Sequence, residues 1–220
     1  MAEELFKYLL GVAAAGLTAD ALSKAMVVNK QQPTTILNAL QRFADPEYTV
    51  IVQPPVGEKG PQPMVTNKHG DWIVDPYGTI QNPLACAQGQ SCVGQKTQTL
   101  GIQEALNYVA NKGGGKVFIR RSTYQLSAPV FIPSNVMIES EHATIAPAPN
   151  FSNPLSKYSP LLMPNGYIKN VIIKSLDFDL TSATKPQFAF DDSNIPPGQN
   201  GRAYENIILE DIVFNLGQYG

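Results

Sequence analysis

The sequence predicts a mainly β protein whose C-terminal part is a solenoid of stacked coils. The stretch "NVIIKSLDFDL" at 170–180 aligns without a gap with "NIILEDIVFNL" at 206–216. A third start of the same unit, Asn135-Val136, lies 35 residues before Asn170. The chain also has 17 glycines and 18 prolines among its 220 residues, which indicates many turns.

Apolar residues occupy the same positions in the two aligned stretches. They are Val171, Ile173, Leu176, Phe178 and Leu180 in the first stretch and Ile207, Leu209, Ile212, Phe214 and Leu216 in the second. The alternation has a period of two, slips by one residue and resumes, which predicts a strand, a corner and a second strand. Such units bury their apolar face only by stacking on each other. A β-sandwich is the alternative, but it would not require equal spacing with matched corners.

The N-terminal residues 1–45 are predicted to be helical. Apolar residues recur at near-helical spacing over 3–28, and a second helix is predicted from near Pro33 to Phe43. These helices form either a small packed cap or an anchoring and oligomerisation segment. Charged residues interrupt the apolar stretch, so no integral membrane span is expected, and the acidic start is unlike a secretory signal.

Residues 46–97 are predicted to be a turn-rich connector with short strands at 48–53 and 71–75. The connector contains the two cysteines of the chain, Cys86 and Cys92. Their spacing favours a small looped disulfide, and two free thiols are the alternative. A metal site is disfavoured because no second Cys or His pair lies at ligand spacing.

Residues 98–220 are predicted to be the first coils of the solenoid. They open with an amphipathic helix from residue 101, which Gly113 to Gly115 end by a left-handed turn before a strand. The "GGGK" sequence is not a phosphate-binding loop, because such a loop precedes a helix and this one follows it. No capping element follows the last coil in the sequence, so we expect further coils or a partner subunit there.

The stretch "IQEALNYVANKGGGKVFIRRSTYQLSAPVFIPSNVMIESEHATIAPAP" resembles the opening of the pectate-lyase-like right-handed parallel β-helix proteins. That family has a capping helix, a Gly-Gly-Gly-x-Val strand, a Tyr-containing strand and a Pro-Ser-Asn-Val strand. The resemblance covers about residues 98–216 and implies a right-handed parallel β-helix. One departure is Arg120-Arg121-Ser122, which stands where the family has a Pro-Gly turn.

Asp177 and Asp179 are the first candidate catalytic residues. The phenylalanine between them is predicted to face inward, so both carboxylates face outward, next to Val213 and Asn215 of the following coil. Two such carboxylates suit general acid and base catalysis on a glycoside, or Ca²⁺ binding, and no other cofactor or metal is expected. The alternative is an ordinary solvated strand, because the Gly-His-Gly turn and Arg-x-Lys of the polygalacturonase branch are absent.

Further candidates lie around the loops. Asp191 and Asp192 are alternative catalytic carboxylates, although an Asp-Asp-Ser-Asn loop more often caps a turn. Arg202 is the only arginine near the last coils that could act as a lyase base. Tyr167 and Tyr204 are candidates for stacking on sugars, or for packing the loops. His142 is predicted to be a surface residue.

These observations favour a structural attachment protein, a spike or fibre subunit of a virus particle that binds surface glycans. Tail-spike proteins resemble this layout, which implies a trimer, a virion or extracellular location, and contacts of residues 1–97 with other virion proteins. A net charge of -2 without a basic stripe argues against nucleic acid. The alternatives are a polysaccharide lyase or glycoside hydrolase, and a cell-surface adhesin.

Overall fold

The computed structural model describes residues 35–54, 64–81, 93–152, 161–164, 166–181 and 204–216. The fold of these residues is mainly β, with thirteen strands and few helices. The predicted helix over 3–28, both cysteines, Asp191, Asp192 and Arg202 lie outside the described residues. The predictions made for them therefore stay predictions.

The described helices are α1 (Ile36–Ala44), a 3₁₀ helix (Pro46–Tyr48) and α2 (Ile102–Asn111). The strands are β1 (Thr49–Val52), β2 (Val65–Asn67), β3 (Trp72–Val74), β4 (Thr79–Gln81), β5 (Val93–Lys96), β6 (Gly115–Ile119), β7 (Thr123–Leu126), β8 (Val130–Ile132), β9 (Val136–Pro147), β10 (Leu162–Pro164), β11 (Ile168–Asp179), β12 (Tyr204–Glu210) and β13 (Val213–Asn215). None of the helices in this part of the chain is long and apolar enough to cross a lipid bilayer.

Helix α2 ends where the sequence predicted, at a run of glycines. Gly113 has φ 86° and Gly114 has φ 114°, and their amides donate to Ala110 and Val109 over 2.8 Å each. Gly115 instead begins β6, where a Cβ would meet the backbone of Tyr48 on the neighbouring chain segment. The glycines therefore serve two purposes: a left-handed helix end and a close approach between strands.

Parallel pairing in register joins β6, β9, β11 and β12. Val171 lies opposite Val136 on one side and Ile207 on the other. The alignment of units 35 and 36 residues apart is therefore confirmed as strand pairing. Strand β1 also pairs in parallel with β6, and β2 to β5 continue from it as antiparallel neighbours. The strands of the predicted connector thus belong to the same eleven-stranded sheet, which is not closed.

Strands β9 and β11 each bend at a corner, and their second halves pair with further strands. His142 has φ 56° and Ser175 has φ 53°, and the register between β9 and β11 shifts beside Ser175. Beyond the corner, β7 and β11 pair with β9, and β13 pairs with β11. The phase slip in the sequence is this corner. A separate parallel pair joins β8 and β10.

An asparagine ladder begins the units. Asn135, Asn170 and Asn206 all adopt left-handed backbone conformations, with φ between 55° and 61°. The Asn170 side-chain amide donates to Asn135 Oδ1 over 2.8 Å, and that of Asn206 donates to Asn170 Oδ1 over 3.0 Å. Asparagine tolerates this backbone region better than most residues, so one residue type meets both the conformational and the hydrogen-bonding requirement.

The core contains the inward apolar residues of the strands. Val171, Ile173, Leu176, Phe178 and Leu180 are all buried, as the alternation predicted. Their counterparts Leu209, Phe214 and Leu216 in the last described repeat unit are 52%, 46% and 56% exposed, because no described strand pairs beyond it.

Candidate functional site at the corner of the strands

Asp177 lies on β11, just after the corner and half-buried on the outer side of the strands. Its neighbours in register are Thr144 on β9 and Val213 on β13. Asp179 lies opposite Asn215 on β13. The predicted positions of Val213 and Asn215 beside the two aspartates are therefore confirmed.

His142 at the corner of β9 contacts two carboxylates of the next two repeat units. Its Nδ1 lies 3.4 Å from Asp177 Oδ1, and its Nε2 lies 3.4 Å from Asp211 Oδ2. The three residues come from three successive repeat units, so the imidazole links units whose strands pair side by side. The imidazole is about half exposed, so it is a surface residue as predicted. The contacts become ion pairs when the ring carries its second proton.

Two serines organise the corner behind this histidine. Ser175 Oγ donates to Asp211 Oδ2 over 2.9 Å, which holds one side of that carboxylate. Ser140 Oγ donates to the Ser175 carbonyl oxygen and accepts from the Ala143 amide over 3.0 Å. Left-handed residues interrupt the regular ladder at the corner, and the Ser140 hydroxyl supplies partners for two backbone groups there.

Asp179 has a different environment from Asp177. Its Oδ1 accepts from the hydroxyl of Thr181 over 2.6 Å and from the Thr181 amide over 3.0 Å. The hydrogen bond from the Thr181 hydroxyl is the largest cause that lowers the pKa of Asp179 below its usual value, and the bond from the Thr181 amide is the second. The two carboxylates are thus not equivalent: Asp179 holds a turn as an ionised acceptor, whereas Asp177 faces an imidazole.

An arginine pair flanks the same corner. Arg120 Nη1 donates to Glu141 Oε1 over 2.6 Å, and the Arg121 amide donates to Glu141 Oε2 over 3.3 Å. The Arg121 amide and then the Arg120 side chain lower the pKa of Glu141. Glu141, which directly precedes His142 in the chain, is therefore ion-paired to Arg120.

The two tyrosines proposed to bind glycans lie at the entry of β11 and β12. Tyr167 is 40% exposed and its hydroxyl donates to Glu205 Oε2 over 2.5 Å. Tyr204 is half-buried and packs against the main core. Of the two, Tyr167 offers the more accessible ring. The other predicted site residues, Asp191, Asp192 and Arg202, lie outside the described residues, so their relation to this corner is untested.

The corner combines groups that suit proton transfer and hydrogen bonding. An imidazole between two carboxylates can carry a proton to or from a ligand at Asp177. Within the described ranges, no three His, Cys, Asp or Glu side chains form a group that could hold a metal ion. Ca²⁺ binding at Asp177 and Asp179 therefore gains no support and stays a prediction.

The alternation on β11 predicted Asp177 as a site residue, but it did not predict the contacts of His142 with Asp177 and Asp211. The spacing of the units contained a usable signal. Aligning the units at 35 and 36 residues puts the corners of β9, β11 and β12 next to one another, and all three polar residues fall at or beside those corners.

Comparison of the chain with models of protein families, with curated proteins and with solved structures gave no match.

Proposed function

We propose that this chain is a structural attachment protein of the spike or fibre kind, built on a right-handed parallel β-helix that binds surface glycans. The observation that carries the proposal is the parallel, in-register stacking of β6, β9, β11 and β12, with a matched corner in successive units. A stack of this kind grows by adding units along one axis, which suits a shaft.

The side-chain ladders support the assignment of the strands to β-helix coils. The Asn135–Asn170–Asn206 ladder runs along the stack, and Phe178 stacks on Phe214 with ring centroids 5.3 Å apart. Such ladders need equivalent residues in every unit. An open sheet without a repeat has no reason to align them.

The outer side of β9, β11 and β13 is the proposed glycan-binding surface. It presents Thr144, Asp177, Asp179 and Asn215 in register. Hydroxyl, carboxylate and amide groups offer the mixed donors and acceptors that sugar hydroxyls require. In this proposal residues 1–97 attach the protein to other virion proteins, and the assembly is a trimer.

A glycan array probed with the full chain tests the binding. We expect selective binding that Asn215→Ala and Thr144→Val weaken. Lys116→Ala, on the outer side of β6 before the corner, serves as the matched control and should leave binding unchanged. Absence of binding to any surface glycan, or equal loss in all three variants, would contradict the proposal.

Antibody labelling of virus particles by electron microscopy tests the location, and labelling of cell envelopes alone would argue against a virion.

A glycoside hydrolase is the second candidate, favoured by one observation. The contact of Asp177 with His142 gives this carboxylate a proton-carrying neighbour, unlike Asp179. Release of reducing ends from a panel of polysaccharides, with and without Ca²⁺, tests it. We expect Asp177→Asn to abolish such activity, and binding without any release of reducing ends would leave only the attachment function.

A further inference from the structure

The last described coil presents one edge whose side chains form a consistent chemical pattern. We call the edge made by β12, β13 and the intervening Asp211 the terminal edge. Strands β12 and β13 pair on one side with β11 and have no described strand on the other side. A strand edge of this kind offers free backbone N–H and C=O groups to another polypeptide.

Three carboxylates of the terminal edge each already accept a hydrogen bond from the preceding coil. Glu205 accepts from the hydroxyl of Tyr167 over 2.5 Å, and Glu210 from Lys174 Nζ over 2.8 Å. Asp211 accepts from Ser175 Oγ over 2.9 Å. A carboxylate has two oxygens and accepts further hydrogen bonds, but it donates none when ionised. The three side chains can therefore use only donors from whatever lies beyond them.

Asn206 adds a fourth acceptor. Its amide nitrogen donates to Asn170 Oδ1, so the next rung of the ladder would be a donor to Asn206 Oδ1. An asparagine amide is that donor at both lower rungs. The ladder therefore specifies an asparagine, or another donor, at the same height in the next strand.

The apolar residues of the terminal edge indicate where a docking segment must carry apolar side chains. Leu209, Phe214 and Leu216 lie above Ile173, Phe178 and Leu180 and are about half exposed. The ring of Phe214 is stacked on Phe178, at an interplanar angle of 12°, and its other side is available. A segment with apolar residues at alternate positions and the same corner would cover them.

Charge argues against a second copy of the same edge as the occupant. Two terminal edges that meet about a two-fold axis run antiparallel, so pairing β12 with its own copy would bring Glu205 of one copy close to Glu210 and Asp211 of the other. Like charges directly opposite each other on strands are unfavourable, and none of these carboxylates could donate to another. In contrast, the row Glu139–Lys174–Glu210 alternates in sign along the stack, and continuing it requires a basic residue.

We propose that the terminal edge is a docking site for a partner polypeptide segment that adds to β12 and β13 as a parallel strand. The segment carries an asparagine beside Asn206, a basic residue beside Glu210 and a hydroxyl or other donor beside Asp211. Apolar residues alternate between them. The sequence of residues 168–181 has all of these features in the right order, so it defines a usable probe. Strand addition of this kind gains affinity from main-chain hydrogen bonds and specificity from alternate side chains.

Fluorescence anisotropy with a labelled synthetic peptide of residues 168–181 and the full chain tests the proposal. We expect saturable binding, weakened roughly fivefold or more by Glu210→Lys in the chain. A peptide with Lys174→Glu should bind the unmodified chain weakly and regain affinity for the Glu210→Lys chain. Gln125→Lys, which adds the same charge on β7, is the matched control and should not alter binding.

Three results would overturn the proposal. One is the absence of peptide binding to a chain whose circular dichroism is that of a folded β protein. Another is binding that does not respond to the exchange of charges between peptide and chain. The third is an oligomer, measured by light scattering, in which hydrogen exchange of the β12 amides is already protected, since a second copy would then cover the edge. Glycan binding is measured separately, so either proposal can fail alone.

Discussion

The side chain of Asn170 is fully buried and donates a 2.8 Å hydrogen bond to the side chain of Asn135 one repeat unit earlier. Both residues have positive φ, so the backbone turns at the same place in each unit. A buried polar side chain is costly unless it is hydrogen-bonded, and the ladder supplies the partners on both sides. A polar ladder therefore lies among the buried apolar residues and links successive repeat units at the same position.

Asn170→Ala should lower the free energy of unfolding by about 3 kcal/mol. The substitution removes one buried and one part-buried ladder hydrogen bond, and it places alanine in a left-handed conformation that costs about 1–2 kcal/mol. Urea unfolding followed by circular dichroism measures the change.

Asn170→Gly and Asn206→Ala separate the two causes. Glycine accepts the positive φ, so it should lose about 2 kcal/mol, the hydrogen-bonding part alone. Asn206 is more exposed and holds one ladder bond, so its replacement by alanine should cost less than that of Asn170. If Asn170→Ala and Asn206→Ala lowered the free energy of unfolding equally, burial would not determine how much each asparagine stabilises the fold.

Phe178→Ala should cost about 3–5 kcal/mol, and Phe214→Ala clearly less. Phe178 lies in the core, whereas Phe214 stacks on it with nearly half of its surface exposed. Denaturant unfolding of the two variants measures the difference. A larger loss at Phe214 would show that another group covers β13 in solution.

The pairing of β11 with β12 could be predicted from the sequence because the inward residues must match from unit to unit. Val171 above Val136 and below Ile207 follows from the alternation and the equal spacing. The corner at Ser175 follows from the slip in the pattern. The alternation and its slip lie within one short stretch, and the stretch recurs along the chain. The pattern therefore predicts these features without knowledge of the rest of the chain.

The contact of α1 with the outer side of the strands could not be predicted in the same way. Ala39 and Phe43 form a small apolar cluster with Ile172. Ile172 lies between the inward residues Val171 and Ile173, so the alternation places it on the outer side. A strand pattern alone predicts that an outward residue is exposed, even when it is an isoleucine. The pairing of β1 with β6 likewise joins distant segments, and no repeat marks it in the sequence.

The contacts of His142 with Asp177 and Asp211 could not be predicted from each residue taken singly either. The sequence indicated outward carboxylates but gave no means of choosing between them. Three-dimensional stacking brings Asp177 and Asp211 to opposite sides of one imidazole, although the three residues are far apart in the chain. Only an alignment of the corners of the repeat units would have predicted from the sequence that His142, Asp177 and Asp211 lie together.

Arg42→Lys should destabilise the protein by about 1–2 kcal/mol, even though the charge is kept. The Arg42 side chain is buried, donates a 2.6 Å hydrogen bond to the Lys112 carbonyl oxygen and lies 4.6 Å from the centre of the Tyr48 ring. A lysine cannot make the planar stacking contact. Hydrogen exchange in α1 and urea unfolding measure the loss. Leu37→Ala, an exposed position on the same helix, is the control and should change stability by less than about 0.5 kcal/mol.

Glu47 should titrate far below an ordinary glutamate. Hydrogen bonds from Lys68 and then His69 lower the pKa of Glu47 from 4.5 to about 2, and the same contact raises the pKa of Lys68. Because the pKa is lower in the folded state, the stabilisation is present above pH 4.5 and is lost as pH falls towards 2. Carboxyl chemical shifts followed by NMR measure the midpoint directly.

Lys68→Ala should raise the midpoint of Glu47 towards 4.5, and Glu47→Gln should remove this part of the acid dependence of unfolding. Both residues are near the surface, so added salt should also weaken the effect. Asp71→Asn is a useful comparison, because Asp71 accepts from Asn67 nearby but does not contact Lys68 through an ion pair. If Lys68→Ala left the Glu47 midpoint near 2, the contact with Lys68 would not be the main cause of the low pKa.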